Sequence, residues 1–166
     1  MIIQLALIIC SLIAPPVDKV PEGYNHITLT DTGAYVVSRG DIQRQYTESD
    51  IVLMAQLVHA EAEGEPFEGK VLVASVIMNR QKVGGYYGDT IHRVIHKRGQ
   101  FDGIKRQCFK DGTYTEEDIK AVMDAQRITN RYMFFCNLET STDSDFINSL
   151  DWTLTVGNHS FAEGKQ

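Results

Sequence analysis

From Ile51 onward, apolar residues recur at helical spacing: Ile51, Met54, Ala55, Val58 and Ala62. Thr47 stands ahead of them as an N-cap, with Asp50 three residues on in the manner of a capping box. The pattern predicts a helix ended by Gly64 and a second helix opened by Pro66, where a missing N–H costs nothing. In "FEGKVLVASVIMNR" the apolar residues Val71, Leu72, Val73, Ala74, Val76, Ile77 and Met78 point nearly all round. A helix with no polar face belongs in the middle of a core. Gly84-Gly85 breaks the chain, and Asp89 is placed to cap a short helix over "TIHRVIHKR". Gln100 to Gly112 reads as loop, and Thr115 with Asp118 caps a further helix running to about Asn130. "YMFFCN" and "WTLTVGNHSF" read as extended. Upstream, "HITLTDTGAYVVS" alternates β-favouring residues around Asp31-Thr32-Gly33 and predicts a hairpin. The fold class is mainly α (α+β): short helices packed at varied angles, with a small extended part near the C-terminus.

The opening "MIIQLALIICSLIAPP" is too short for an ordinary spanning helix and has the length of a signal-peptide core, although no Lys or Arg precedes it. Residues 1–14 are expected to be a signal peptide or short membrane tether, which implies secretion or tethering at the cell wall. The null alternative is a short buried element that starts the domain. Residues 15–46 read as a linker carrying the hairpin, residues 47–162 as the main domain, and residues 163–166 as a tail. With 166 residues, the chain suffices for one well-packed domain. A content of 43% hydrophobic and 23% charged residues is ordinary for a globular protein. The net charge of -6 argues against a general nucleic-acid binder. Cys108 and Cys136 lack the spacing of a metal knuckle, and whether they pair stays open.

"HAEAEGEP" places Glu61, Glu63 and Glu65 in five positions. At roughly 100° per residue, Glu61 falls beside Met54 and Leu57, on the edge of the apolar face. Glu63 falls on the solvent side. Glu65, next to Pro66, is positioned to cap the second helix. A carboxyl beside apolar groups is held protonated by desolvation, so Glu61 is the best general acid of the three. The bland alternative is a helix-end glutamate paired with Lys70 or Arg80.

"AQLVHAEAEGEPFEGKVLVASVIMNR", Ala55 to Arg80, closely resembles the signature of the bacterial cell wall hydrolases of the SleB type, the spore-cortex-lytic enzymes. "TIHRVI", Gln100-Phe101, "FFCN" and "GNHSF" extend the resemblance in order to Phe161. The chain departs from the pattern at His59-Ala60, Glu63, Lys70 and Ala162. The resemblance implies a lysozyme-like lytic transglycosylase domain. It further implies cleavage of peptidoglycan between N-acetylmuramic acid and N-acetylglucosamine, with the motif's first glutamate, Glu61, as catalytic acid. One carboxyl suffices if the sugar's own C6 hydroxyl attacks C1. Hydrolysis would need a second carboxylate, for which Asp102 is the sequence candidate. Asn79, Gln100, Asn137, Asn158 and His159 are candidates to grip sugar, with Tyr86, Phe101 and Phe135 as stacking platforms. No cofactor, metal or nucleic acid is expected, and the protein is expected to act as a monomer on glycan strands. The timing of its action, in germination, wall turnover or phage lysis, is not written in the residues.

Two competing functions stay open at this point. His92 and His96, at i and i+4, could serve a metal-dependent hydrolase, which a strong chelator would inhibit. A non-catalytic wall-binding module would leave peptidoglycan intact.

Overall fold

The computed structural model describes residues 26–29, 35–39 and 42–164, with side chains from Tyr46 onward. The apolar leader lies outside the described residues. The chain divides into two compact units, residues 1–47 and 48–166. In the first, β1 (His26–Leu29), β2 (Tyr35–Arg39) and β3 (Ile42–Tyr46) form an antiparallel sheet in that order. β1 and β2 pair with His26 opposite Ser38, where the alternation predicts a hairpin. The third strand was not anticipated.

In the second unit, α1 (Glu48–Ala62) and α2 (Phe67–Val83) flank the break at Gly64. Along α2, Val73, Ala74, Val76 and Ile77 have no exposure. This helix packs against α1, against α3 (Ile91–His96), against α5 (Glu116–Ala125) and against strand β4 (Tyr132–Cys136). Burying each of the Val and Ile side chains contributes about 1.5–3 kcal/mol. The helix apolar on all sides is therefore the centre of the core, as its pattern requires.

Three local expectations need correction. Pro66 opens α2 with no side-chain cap, because Glu65 turns away to another partner. Thr90, not Asp89, caps α3: its hydroxyl accepts from Arg93 N at 3.2 Å, while Asp89 pairs with the Arg93 side chain. The stretch 100–112 is not merely loop, since it holds a 3-10 turn at Gly103–Lys105 and helix α4 at Gln107–Lys110. The capping box at Thr115 and Asp118 is present as the sequence predicts, although α5 stops at Ala125.

The C-terminal part is a second antiparallel sheet, ordered β4-β6-β5, with β5 (Trp152–Val156) and β6 (His159–Glu163) joined at Gly157-Asn158. Helix α6 (Ser144–Ser149) lies between β4 and β5 in the chain, and Phe146 meets both Phe134 and Trp152 edge-on. Cys108 and Cys136 are free thiols. Among the described residues no helix is long and apolar enough to cross a membrane.

One buried polar cluster ties α1, α2 and α5 together. Asp118 is fully buried and receives His59 Nδ1 at 2.9 Å and Lys70 Nζ at 3.0 Å. Burial pushes its carboxyl upward, but the bonds from Lys70, Thr115 and His59 outweigh that and hold it below the usual range. His59 and Lys70 are both positions where the chain departs from the SleB-type pattern, and Asp118 joins them.

Candidate active site

Glu61 lies in the last turn of α1, half-buried at the edge predicted by the helical wheel. Its Oε1 accepts a 2.6 Å hydrogen bond from Gly103 N, at the start of the 3-10 turn. Gly103 must lack a side chain, because a Cβ there would lie 2.9 Å from that same oxygen. Oε2 has no hydrogen-bond partner among the described residues. Burial pushes the Glu61 carboxyl up. The Gly103 N–H lowers it, Asp102 raises it, and Arg106 and Arg80 lower it, with a net upward shift. One oxygen is thus fixed and the other is free to give a proton.

Arg80 is the cation behind the site. It is 5% exposed, yet no carboxylate pairs with it among the described residues. Nε donates to Met133 O at 2.8 Å and Nη1 donates to Gln100 O at 3.0 Å. Its guanidinium lies 4.6 Å from the centre of the Phe101 ring, within cation–π range. Burial lowers its pKa to about 10, so it stays charged at neutral pH. Arg106 donates to Ala60 O, the carbonyl just before Glu61. Both cations lower the Glu61 carboxyl, with no salt bridge to it among the described residues.

Of the three aromatic candidates, Phe101 and Phe135 converge, while Tyr86 stands apart on the loop after α2, 70% exposed and against Tyr87. Phe101 and Phe135 are 6.3 Å apart, and Phe135 lies 5.1 Å from the His159 ring and 6.0 Å from Phe161. His159 Nδ1 is buried without a partner among the described residues. Burial lowers the His159 pKa, against a raising influence from Glu65, so the ring is neutral at pH 7. Glu65 itself is spent on the β5–β6 turn, accepting from Asn158 N at 2.8 Å and from Asn158 Nδ2 at 3.0 Å. That pair explains the third glutamate of the cluster: it anchors the hairpin that carries His159. Glu63 is on the solvent side, as the wheel predicts.

Asn79 and Asn137 make framework contacts. Asn79 Nδ2 donates to Asn130 Oδ1 at 2.9 Å and to Tyr132 O at 3.0 Å, holding the start of β4. Asn137 Oδ1 accepts from Glu139 N and Thr140 N, shaping the turn after β4. Gln100 contributes its carbonyl to Arg80. His92 and His96 stack at 4.2 Å on an exposed face, and among the described residues no group of three or more metal-type side chains converges. Asp102, which the sequence could not place, adjoins the Glu61 contact, with its carboxylate 2.5 Å from Lys105 Nζ. Gly103 and Arg106 were missed; only the Asp-Gly turn signal at residues 102–103 hinted at the first.

Residues 64–162 match the family model described as Cell Wall Hydrolase. Spore cortex-lytic enzyme from Oceanobacillus iheyensis is 31% identical over 130 residues, which span 74% of this chain and 45% of that protein. Its counterpart from Halalkalibacterium halodurans is 33% identical over 79% of this chain and 40% of that protein. The chain thus spans under half the length of these curated relatives. Among solved structures, the catalytic domain of the germination-specific lytic transglycosylase SleB from Bacillus anthracis superposes with a TM-score of 0.61 at 30% identity. It covers 71% of this chain and 97% of that one. The catalytic domain of the Bacillus cereus SleB protein gives 0.62 at 30% identity, covering 76% and 98%.

Proposed function

The chain belongs to the cell wall hydrolase family, and from that premise we propose that it cleaves peptidoglycan glycan strands between N-acetylmuramic acid and N-acetylglucosamine, as a lytic transglycosylase. Glu61 is the acid and then the base. The observation that carries this reading is the Glu61 environment: a desolvated carboxyl with one oxygen held by a backbone N–H and the other unengaged.

The protonated carboxyl donates to the glycosidic oxygen as the C1–O bond breaks, and the leaving sugar departs as an alcohol. The Gly103 N–H and the nearby Arg80 and Arg106 charges stabilise the carboxylate left behind. That carboxylate then takes the proton of the muramyl C6 hydroxyl as its oxygen bonds to C1. The proton returns to Glu61 and no water is consumed. Gln100, Phe135 and His159 are the groups we assign to the sugars, with Phe101 acting from beneath Arg80. Asn79 and Asn137 contribute by fixing the two ends of β4, which carries Phe135. The place of action is the cell wall or spore cortex, reached by secretion or by a tether in residues 1–14.

Asp102 supports a second reading, hydrolysis, because it adjoins the residue bonded to Glu61 and its charge raises the Glu61 carboxyl. Mass analysis of fragments from purified peptidoglycan separates the two. Anhydro-ended muropeptides, lighter by one water, are expected. Reducing ends would replace the transglycosylase with a hydrolase. Intact wall with bound protein would remove both.

A further inference from the structure

Three consecutive residues at the end of α1 are each tied to a different residue far along the chain. His59 Nδ1 donates to the Asp118 carboxylate on α5 at 2.9 Å. Ala60 O accepts from Arg106 Nη1. Glu61 Oε1 accepts from Gly103 N at 2.6 Å. The first bond fixes the helix end against the core. The other two come from the two ends of the 3-10 turn, and Arg106 N donates to Gly103 O at 3.0 Å to close that turn. The bonds therefore form a ring. It runs from Glu61 Oε1 to the Gly103 N–H, through Gly103 O to the Arg106 N–H, and along the Arg106 side chain to Ala60 O. One peptide bond leads back to Glu61. In a ring this short, where the Gly103 N–H stands relative to the Glu61 carboxyl depends on the Arg106 bond.

Arg106 is exposed, yet its guanidinium is directed at a backbone carbonyl. The two carboxylates nearest to it in sequence are engaged elsewhere: Asp102 with Lys105 Nζ at 2.5 Å and Asp111 with Gln107 Nε2 at 2.7 Å. Ala60 O is one of the last four carbonyls of α1, which the helix itself leaves without donors. A cationic donor is favoured there, at the negative end of the helix dipole. The charges of Asp102 and Arg106 act on the Glu61 carboxyl in opposite senses. The Gly103 N–H is the turn's direct contact with that carboxyl, and the Arg106 bond is what seats it.

We propose that Arg106 is a positioning residue for glycan cleavage: by holding Ala60 O it docks the 3-10 turn on the end of α1, so that the Gly103 N–H fixes one Glu61 oxygen and leaves the other to the glycosidic bond. Arg106 acts through Gly103 and makes no contact with sugar. The kinetic consequence rests on the glycan-cleavage reading above; the placement of Gly103 on Glu61 does not.

The test uses the full chain with Arg106→Met, Gly103→Ala and the double variant. Methionine keeps an unbranched stem and donates nothing. Arg106→Gln, too short to reach Ala60 O, is a second variant expected to behave alike, and melting temperatures check that each folds. On soluble glycan strands kcat should fall roughly 10–100-fold in Arg106→Met with KM within about two-fold, the scale of loss for a reacting group misplaced by about 1 Å. The double variant should lose no more than the larger single loss, because both changes break one contact. Losses that multiply would make Arg106 act by its charge alone and overturn the proposal. A fall expressed mainly in KM would make Arg106 a sugar contact and overturn it too. A second measurement needs no turnover. Followed by NMR, the Gly103 amide proton should move as Glu61 titrates in the wild type and lose most of that movement in Arg106→Met. Equal movement in both proteins overturns the proposal and leaves the cleavage reading standing. A wild type that leaves glycan uncut fails the cleavage reading, and the amide comparison still decides whether Arg106 places Gly103 on Glu61.

Discussion

The proposed mechanism concentrates the chemistry in the Glu61 carboxyl, and two substitutions probe it. Glu61→Gln keeps the shape and the bond from Gly103 but cannot give a proton. Cleavage should fall about 10²–10⁴-fold while strand binding persists, as read by turnover and cosedimentation with wall; near-normal turnover would remove Glu61 as the acid. The same substitution has a stability signature. A carboxyl raised above its ordinary 4.5 in the folded state contributes stability that is full below that value. The contribution is lost as pH rises through the folded value. Denaturation midpoints measured upward from acid pH should therefore show Glu61→Gln gaining on the wild type as pH rises. A constant difference would mean that burial does not hold the proton on Glu61. Gly103→Ala tests the other half of the contact. Its Cβ would press on Glu61 Oε1 and Cδ at 2.9–3.0 Å, so the carboxyl must move. An overpacking cost of about 1–3 kcal/mol is expected, together with a fall in kcat larger than any change in KM. Full activity with unchanged stability would show that the contact is not required.

At the level of elements, α2 is the structural axis and the β5–β6 hairpin, anchored by Glu65, carries His159. Ile77, unexposed on α2, should cost about 2–5 kcal/mol on truncation to Ala, measured by chemical denaturation; a loss under 1 kcal/mol would place α2 away from the core centre. Gly157 is tuned differently. It has φ 61°, and a Cβ there would collide with the Glu65 carboxylate and with Pro66. Gly157→Ala should break the Glu65–Asn158 bonds and displace His159, lowering turnover more than the melting temperature; the opposite balance would make the turn purely structural. These elements also mark what was legible in the sequence. α1, α2 and the Thr115 capping box could be read because each spans several turns or carries a local cap. The 3-10 turn, α4 and α6 were not read: elements of three to six residues complete too little periodicity to register, and the six-residue α3 was read only from the break and cap ahead of it. Glu61 was legible from one face of one helix. Its partner Gly103, forty-two residues on, was not, because only tertiary packing brings the turn to the helix. Glu65 was misread for the same reason: local logic offered a helix cap, and the distant Asn158 offered two hydrogen bonds.

For the whole molecule, the two compact units raise the question of what each supplies. Residues 48–166 contain α1 through β6, the buried core around α2, Glu61 and every group assigned to the sugars. The solved SleB catalytic domain from Bacillus anthracis matches 97% of its own length while covering only 71% of this chain. A unit that holds its own core and its own site needs nothing further to fold or to position the acid. The fragment 48–166 should therefore unfold in a single cooperative transition and cleave short soluble glycan strands with kcat/KM within about two-fold of the full chain, a margin smaller than the loss of one hydrogen bond. A fragment that folds but loses activity on soluble strands would place part of the catalytic machinery in residues 1–47, and the single-unit account of the site would fail.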